Sequence, residues 1–246
     1  MIEYLRQGLE FDNVIVIIFV GTNTPQVAYS RVYGPDVFRY VDDQYLSGAY
    51  LLDPIYDHHL RRGQPGLFRL LDVAPDQFRS SRYYKWYYGR IGISDEISVF
   101  LPLTQGLTIT ISMGKDSSSG TIFSAKAEEN FRKHEPVIFS LLKAHWAALG
   151  EPAAQIARAT SVTQNLRAEM ENHYKVVLSA RQAEVAFLIL QGHSTPSIGL
   201  QLGVSPQTVK VFRKQLYHRC GICSQAELFA LMMPLLGLVN PASRAF

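Results

Sequence analysis

The stretch Thr195-Pro-Ser-Ile-Gly-Leu-Gln-Leu-Gly-Val-Ser-Pro-Gln-Thr-Val-Lys-Val-Phe-Arg-Lys-Gln-Leu216 decides how this chain is read. Thr195-Pro196 and Ser205-Pro206 each set a hydroxyl residue before a proline. The hydroxyl can accept from a free N–H of a helix's first turn, and proline at the first helical position lacks a donor that would have no intrahelical partner anyway. Two such starts, with Gly203-Val204 just before the second, predict a short helix, a tight turn and a longer helix, which is the helix-turn-helix layout. On either side, Ser179 with Gln182 and Ser224 with Glu227 have the spacing of capping boxes. Four helices are therefore expected after Leu178. In the longer one, Val209, Phe212 and Leu216 share a face and should pack against Leu188, Ile198 and Leu202. The opposite face presents Gln207, Lys210, Arg213, Lys214 and Tyr217. Cationic, hydrogen-bonding side chains on the exposed face of a helix that fits the major groove suit double-stranded DNA. A solvated basic face is the plainer reading, and the turn in front of the helix tips the balance to DNA.

Charge and aromatic distribution divide the chain in the same place. From Leu178 to Phe246, six basic residues (Arg181, Lys210, Arg213, Lys214, Arg219 and Arg244) face only Glu184 and Glu227, while the rest carries 18 basic and 19 acidic residues. The excess positive charge of the whole chain, +3, is thus confined to the C-terminal segment, as an anionic partner there requires. Of the 28 Phe, Trp and Tyr residues, 23 precede Leu178, so the two regions have different tasks. A length of 246 residues suits two cores, and 47% hydrophobic with 18% charged residues excludes a disordered chain.

The segments Leu178-Ser-Ala-Arg-Gln-Ala-Glu-Val185, Gln191-Gly-His-Ser-Thr-Pro-Ser-Ile198, Leu202-Gly-Val-Ser-Pro-Gln-Thr-Val-Lys-Val211 and Ser224-Gln-Ala-Glu-Leu228 resemble the LuxR-type DNA-binding domain of bacterial transcription regulators. The resemblance covers about 55 residues. It implies a four-helix domain whose third helix reads DNA and whose fourth helps a homodimer form. It implies base-facing positions for Lys210, Val211 and Lys214, and phosphate contacts for Thr208 and Arg213. Ser205 and Gln207, at the start of the reading helix, complete the expected DNA-binding set. Gln182, Phe212 and Arg219-Cys220 depart from the family pattern, which has an acid, a histidine and Lys-Leu there.

Upstream, the order of elements is strand, strand, helix, strand, helix, strand, strand, helix. Asn13–Val20 is a β-branched apolar run that reads as a buried strand, and Gln26–Tyr33 can pair with it after a short helix near Glu3–Leu9. A helix is expected over Asp36–Leu60 with a break at Pro54, strands over Leu67–Val73 and Ile97–Leu103, a helix over Phe78–Tyr88 and a hairpin strand over Leu107–Met113. A polar loop over Gly114–Gly120 leads to a helix over Ser124–Leu149, with Phe131, Val137, Ile138, Leu141, Leu142 and Trp146 on or near one face. The fold class expected is α+β. Residues 1–150 form an α/β/α sensor domain with a mainly antiparallel sheet, and residues 178–246 form an all-α helix-turn-helix domain. Residues 151–177 connect them, with Gly150-Glu151-Pro152 as boundary and a helix over Gln155–Tyr174. A phosphate-accepting receiver is excluded, because Val20 is followed by Gly21-Thr-Asn-Thr24 and no acidic pair.

The N-terminal segments Ala49-Tyr-Leu-Leu-Asp-Pro-Ile-Tyr56 and Tyr87-Tyr-Gly-Arg-Ile-Gly-Ile-Ser-Asp-Glu-Ile97 are similar to GAF-like input domains of LuxR-type regulators, and Asp53-Pro54 resembles the autoinducer-binding domain of quorum-sensing members. In that second family the aspartate accepts from the ligand amide. Physically, Tyr45, Tyr50, Tyr83, Trp86 and Tyr87 can line an apolar pocket with polar tips, and Asp53 can fix a ligand donor. Equally, they can be core and surface aromatics, with Asp53 capping a turn before Pro54.

Other constellations carry less. Cys220 and Cys223 have zinc-like spacing without a second pair, so packing or a thiol redox switch are the readings open to them. His58 and His59 sit on a helix end where neighbours point apart, which favours solvation over metal binding. No nucleophile elbow and no Gly-rich phosphate loop occurs, so neither an enzyme nor a cofactor is expected. Val14–Val20 is too short to span a bilayer and Leu228–Val239 is broken by Pro234 and Gly237. With no secretory signal at Met1–Phe11, a cytoplasmic protein is expected. The function expected is a dimeric transcription regulator on an inverted-repeat operator, controlled by a small-molecule effector, with RNA polymerase as a further partner. Control by a protein partner with no small molecule is the alternative.

Overall fold

Large apolar residues on both faces build the sheet. The computed structural model describes residues 1–32, 37–104, 106–149 and 161–239. Strand β1 spans Asn13–Val20, β2 Gln26–Arg31, β3 Gly66–Arg69, β4 Ile93–Thr104 and β5 Leu107–Asp116. They form one antiparallel sheet in the order β2-β1-β5-β4-β3. In register, Val16 lies opposite Ile111, and Ile111 opposite Val99, so one face carries a continuous apolar row. Onto that face pack Leu5 of α1 (Ile2–Gly8), Phe131 of α6 (Ala125–Arg132), and Ile138 and Leu142 of α7 (Glu135–Leu149). The other face is buried as well, through Ile15, Ile17, Phe19 and Phe100. This double burial is why β1 is an apolar run rather than an alternating one.

The described residues fall into two units that do not follow chain order. The first comprises those of Met1–Tyr40, His58–Val73 and Ile91–Ala157, and the second those of Val41–Asp57, Ala74–Arg90 and Arg158–Phe246. The sequence division at residue 150 follows chain order. The two segments from the aromatic-rich half that join the second unit are the point of difference.

Several sequence-based elements are corrected. The expected helix over Asp36–Leu60 is a π turn at Val41–Tyr45, a 3-10 turn at Ala49–Leu52 and α2 at Pro54–Leu60. Gly48, with φ of 145°, takes a conformation barred to a helix, and the Ser47 hydroxyl caps the carbonyls of Asp43 and Gln44 at 2.7 and 3.1 Å. Asp53 is extended before Pro54, as proline demands of its predecessor. The strand expected over Leu67–Val73 stops at Arg69 and continues as the helical turn α3 (Leu70–Val73). The aromatic helix is a 3-10 turn at Phe78–Ser80 followed by α4 (Arg82–Trp86) and α5 (Tyr88–Ile91). Strand β5 runs on to Asp116 into the expected loop. The helix expected from Ser124 is split between α6 and α7, and Pro136 sits in the first turn of α7, where its missing donor is harmless. Ile138 and Leu142 are core residues there, but Val137 and Leu141 are 45% and 44% exposed. The Gly150-Glu151-Pro152 boundary, Tyr33, Asp36, Arg244 and the first part of the Gln155–Tyr174 helix lie outside the described residues.

The helical part of the second unit matches its local signals closely. It contains α8 (Val162–Tyr174), α9 (Ala180–Gln191), α10 (Thr195–Leu202), α11 (Pro206–Cys220) and α12 (Gln225–Val239). Ser179 and Gln182 make the reciprocal capping box. At α12, Ser224 accepts from the Glu227 N–H, while the Glu227 carboxylate accepts from the Cys223 N–H and the Ser224 hydroxyl. The start of α10 is one residue earlier than expected. Ser194 is its cap, accepting from the Ser197 N–H at 3.2 Å, and Pro196 is the second helical residue. Helix α8 packs on α9 and α12 through the fully buried Leu166 and Met170, so the expected connector is a fifth helix of this bundle. Among the described residues no single helix is long and apolar enough to cross a membrane.

Candidate functional site

The turn between α10 and α11 sets how α11 is presented. Gly203 ends α10 with φ of 64°, and the Val204 N–H returns to the Gly199 carbonyl at 3.0 Å. Ser205 then caps α11, accepting from the Thr208 N–H at 3.0 Å, with its hydroxyl also 2.8 Å from that of Thr208. Val209 and Leu216 are buried, Phe212 is half-buried, and α11 packs on both α9 and α10. A helix held by one face must present the other. Gln207, Lys210, Arg213 and Lys214 are exposed, and Val211 is 45% exposed among them.

Lys210, Arg213 and Lys214 lie at helical spacings of three and four, so three cations share one surface. Among the described residues no carboxylate forms an ion pair with any of them. Unneutralised cations beside an amide and a methyl-bearing side chain can meet phosphates and base edges together. Tyr217, expected on the same face, is half-buried, and burial raises its phenol above the ordinary value. At the far end of α11, the Arg219 guanidinium donates to the Val177 carbonyl at 2.7 Å. Cys220 is half-buried, and burial pushes its thiol up, away from the thiolate that redox chemistry uses.

The six aromatic-region candidates divide. Tyr45, Tyr50, Asp53, Tyr83 and Tyr87 are all buried and form one cluster. Tyr45 lies 6.3 Å from Tyr50 and 5.7 Å from Tyr87 between ring centroids, and Tyr87 stacks on Tyr83 at 5.9 Å. The Tyr45 hydroxyl and the Ile55 N–H both donate to Asp53, which caps the first turn of α2. Burial pushes the Asp53 carboxyl up to about 6, against the lowering effect of those donors. Trp86 is turned elsewhere: it is half-buried, edge-on to Phe229 of α12 at 5.7 Å, with Arg90 over its ring. The arrangement is an aromatic core around one carboxyl that burial makes easier to protonate.

The histidine pair is not solvated as expected. His59 is 5% exposed, with its ring nitrogens 2.8 Å from the Thr108 hydroxyl and 2.9 Å from the Gly21 carbonyl. His58 packs edge-on against Phe68 and Phe100. They do point apart, each into a different part of the first unit. Among the described residues no group of three or more His, Cys, Asp or Glu is placed to hold a metal ion.

Sequence reasoning missed Asp76, Gln77 and Phe78, which touch the turn between α9 and α10. Asp76 accepts from the Ser194 N–H at 2.9 Å, and the Gln77 N–H donates to the Gly192 carbonyl at 3.0 Å. No local pattern marks these residues, since their partners lie more than a hundred positions away.

Comparison with known proteins bears on the helical part first. Residues 176–232 match the family model of bacterial regulatory proteins, luxR family. Over 182 residues the chain is 30% identical to the Aeromonas salmonicida protein named as an HTH-type transcriptional regulator in exeN 3'region, covering 71% of this chain and 90% of that one. Among solved structures, the VqsR LBD domain from Pseudomonas aeruginosa is 26% identical with a TM-score of 0.49, over 57% of this chain and 80% of that one. Escherichia coli SdiA is 18% identical with a TM-score of 0.42, over 94% and 87%.

Proposed function

The chain belongs to the LuxR family of bacterial regulatory proteins, and from that premise we propose that it binds an inverted-repeat operator as a homodimer under the control of a small molecule. It is a DNA-binding transcription regulator by family. The observation that carries the finer reading is the cation surface of α11, held outward by burial of Val209 and Leu216 behind a capped turn. Within this reading Lys210, Val211 and Lys214 face bases, Gln207 reaches a base edge from the helix start, and Ser205, Thr208 and Arg213 meet phosphates. Two copies would set their reading helices about 34 Å apart, one turn of duplex.

The effector would act at the cluster of Tyr45, Tyr50, Asp53, Tyr83 and Tyr87, with Trp86 at its edge. An aromatic wall with one carboxyl suits an apolar molecule that carries an N–H or O–H donor. Residues 1–150 would serve as the sensing region, 151–177 as the connection and 178–246 as the DNA-binding domain, in the cytoplasm, with RNA polymerase as the further partner. No catalytic step is assigned to the protein.

Control by a protein partner is the second reading, and Asp53 favours it: both carboxylate oxygens already accept from this chain's own Tyr45 and Ile55. Native mass spectrometry of protein taken from its own cells separates the two. A dimer with a defined extra mass supports the effector. An empty dimer, whose melting temperature no small-molecule extract raises, favours the partner.

A further inference from the structure

The second unit contains a long-range contact at the start of its helix-turn-helix. Asp76, Gln77 and Phe78 lie along the turn joining α9 to α10, just before the helix-turn-helix begins. The Asp76 carboxylate accepts from the backbone N–H of Ser194, the residue that caps α10. The Gln77 N–H takes the carbonyl of Gly192. The chains approach so closely that a Cβ on Gly192 would sit 2.9 Å from the Phe78 Cα and 3.1 Å from the Ser81 Cβ. Asp76 is exposed, and although its slight burial acts to raise its carboxyl, the Ser194 hydrogen bonds outweigh that and hold it below the ordinary value. A full negative charge therefore rests at the start of α10.

That position is where a duplex would bring its own negative charge. When the second helix of a helix-turn-helix enters the major groove, the first crosses the sugar-phosphate backbone. The start of that first helix offers partial positive charge and free N–H groups to phosphate. Asp76 has occupied one of those groups with a carboxylate, and its charge repels an arriving phosphate. We propose that residues 76–78 are an autoinhibitory strap, docked on the α9–α10 turn and displaced when DNA binds.

The strap has an anchor that can report on the aromatic cluster. Phe78 is 1% exposed, and its ring is 6.0 Å from Tyr83, which stacks on Tyr87, which neighbours Tyr45, the hydrogen-bond donor to Asp53. A rearrangement around Asp53 reaches Phe78 through three packed rings and so bears on the hold at Gly192. The device rests on the reading that α11 enters DNA.

The test uses the full chain and a random-sequence duplex followed by fluorescence anisotropy at fixed salt. Asp76→Asn keeps the acceptor and removes the charge, while Glu184→Gln, at a half-buried position of α9 paired with Arg181, removes one charge elsewhere as a control. The strap predicts that D76N binds about threefold to tenfold tighter than the unaltered chain, with E184Q near it. Equal or weaker binding by D76N, or an equal gain in E184Q, overturns the strap and leaves DNA binding intact. Hydrogen exchange of the unaltered chain gives a second readout. The Gln77 amide should lose protection when duplex is added, and retained protection overturns displacement. Absence of binding by every form overturns the DNA reading, and the strap with it.

Discussion

The Tyr45 hydroxyl sits 2.8 Å from Asp53 Oδ2 while the Ile55 N–H reaches Oδ1 at 2.7 Å, so the cluster's single carboxyl is held from both sides within one short stretch of chain. The phenol is itself raised well above its ordinary value, first by burial and then by the neighbouring carboxylate. Both groups therefore keep their protons to higher pH than they would in water.

Asp53 should make stability depend on pH. Its carboxyl is raised from an ordinary 3.8 to about 6 on folding, so the folded chain holds a proton that the unfolded chain has released between those values. The stabilisation is complete below the lower value and is lost as pH rises through about 6, a contribution on the order of 3 kcal/mol. Urea unfolding at pH 4 to 7 should show this slope, and Asp53→Asn should flatten it. An unchanged slope in the variant would remove Asp53 as its source.

Tyr45→Phe removes one of the donors that favour the Asp53 carboxylate. The fall in stability should then extend to higher pH than in the unaltered chain, with a loss of about 1 kcal/mol near neutrality. The same unfolding series reads both effects, and a midpoint shifted to lower pH would contradict the assignment.

If α11 reads DNA as proposed, Lys210→Ala or Lys214→Ala should cost about 1 to 3 kcal/mol on the operator and much less on random duplex. Arg213→Ala should weaken both alike and reduce the salt slope by about one. Equal losses on both duplexes for Lys210→Ala would reassign Lys210 to phosphate.

The support of α11 should be worth more than any one contact it makes. Leu216 is fully buried, so Leu216→Ala should destabilise by about 2 to 5 kcal/mol and reduce DNA binding without touching a DNA-facing residue. Ser205→Ala, which removes the cap at the helix start, should cost about 1 kcal/mol. Calorimetric melting measures both, and a neutral Ser205→Ala would mean that Thr208 N–H finds water instead.

The contrast between α10 and the Asp36–Leu60 region shows where local reading succeeds. Around α10 the start was misplaced by a single residue, because Ser194 and Thr195 both carry hydroxyls and only the fold chooses between them. Over Asp36–Leu60 the helical spacing of apolar and aromatic residues suggests a helix broken at Pro54; the chain does break before Pro54, but it breaks at Gly48 as well. Tyr45 and Tyr50 satisfy burial from turns as well as they would from a helix, so their spacing carries no information about the backbone.

By itself the sequence determined the helix-turn-helix: caps, turn glycine, buried stripe and exposed cations all depend on residues within a few positions of one another, and each has a local physical cause. Tertiary structure alone decided that the segments carrying Tyr45, Asp53, Tyr83 and Trp86 join the helical unit, and that Asp76 meets Ser194 across 118 positions. Such contacts form only when long loops close around a shared core, and neither composition nor periodicity records which loops those are.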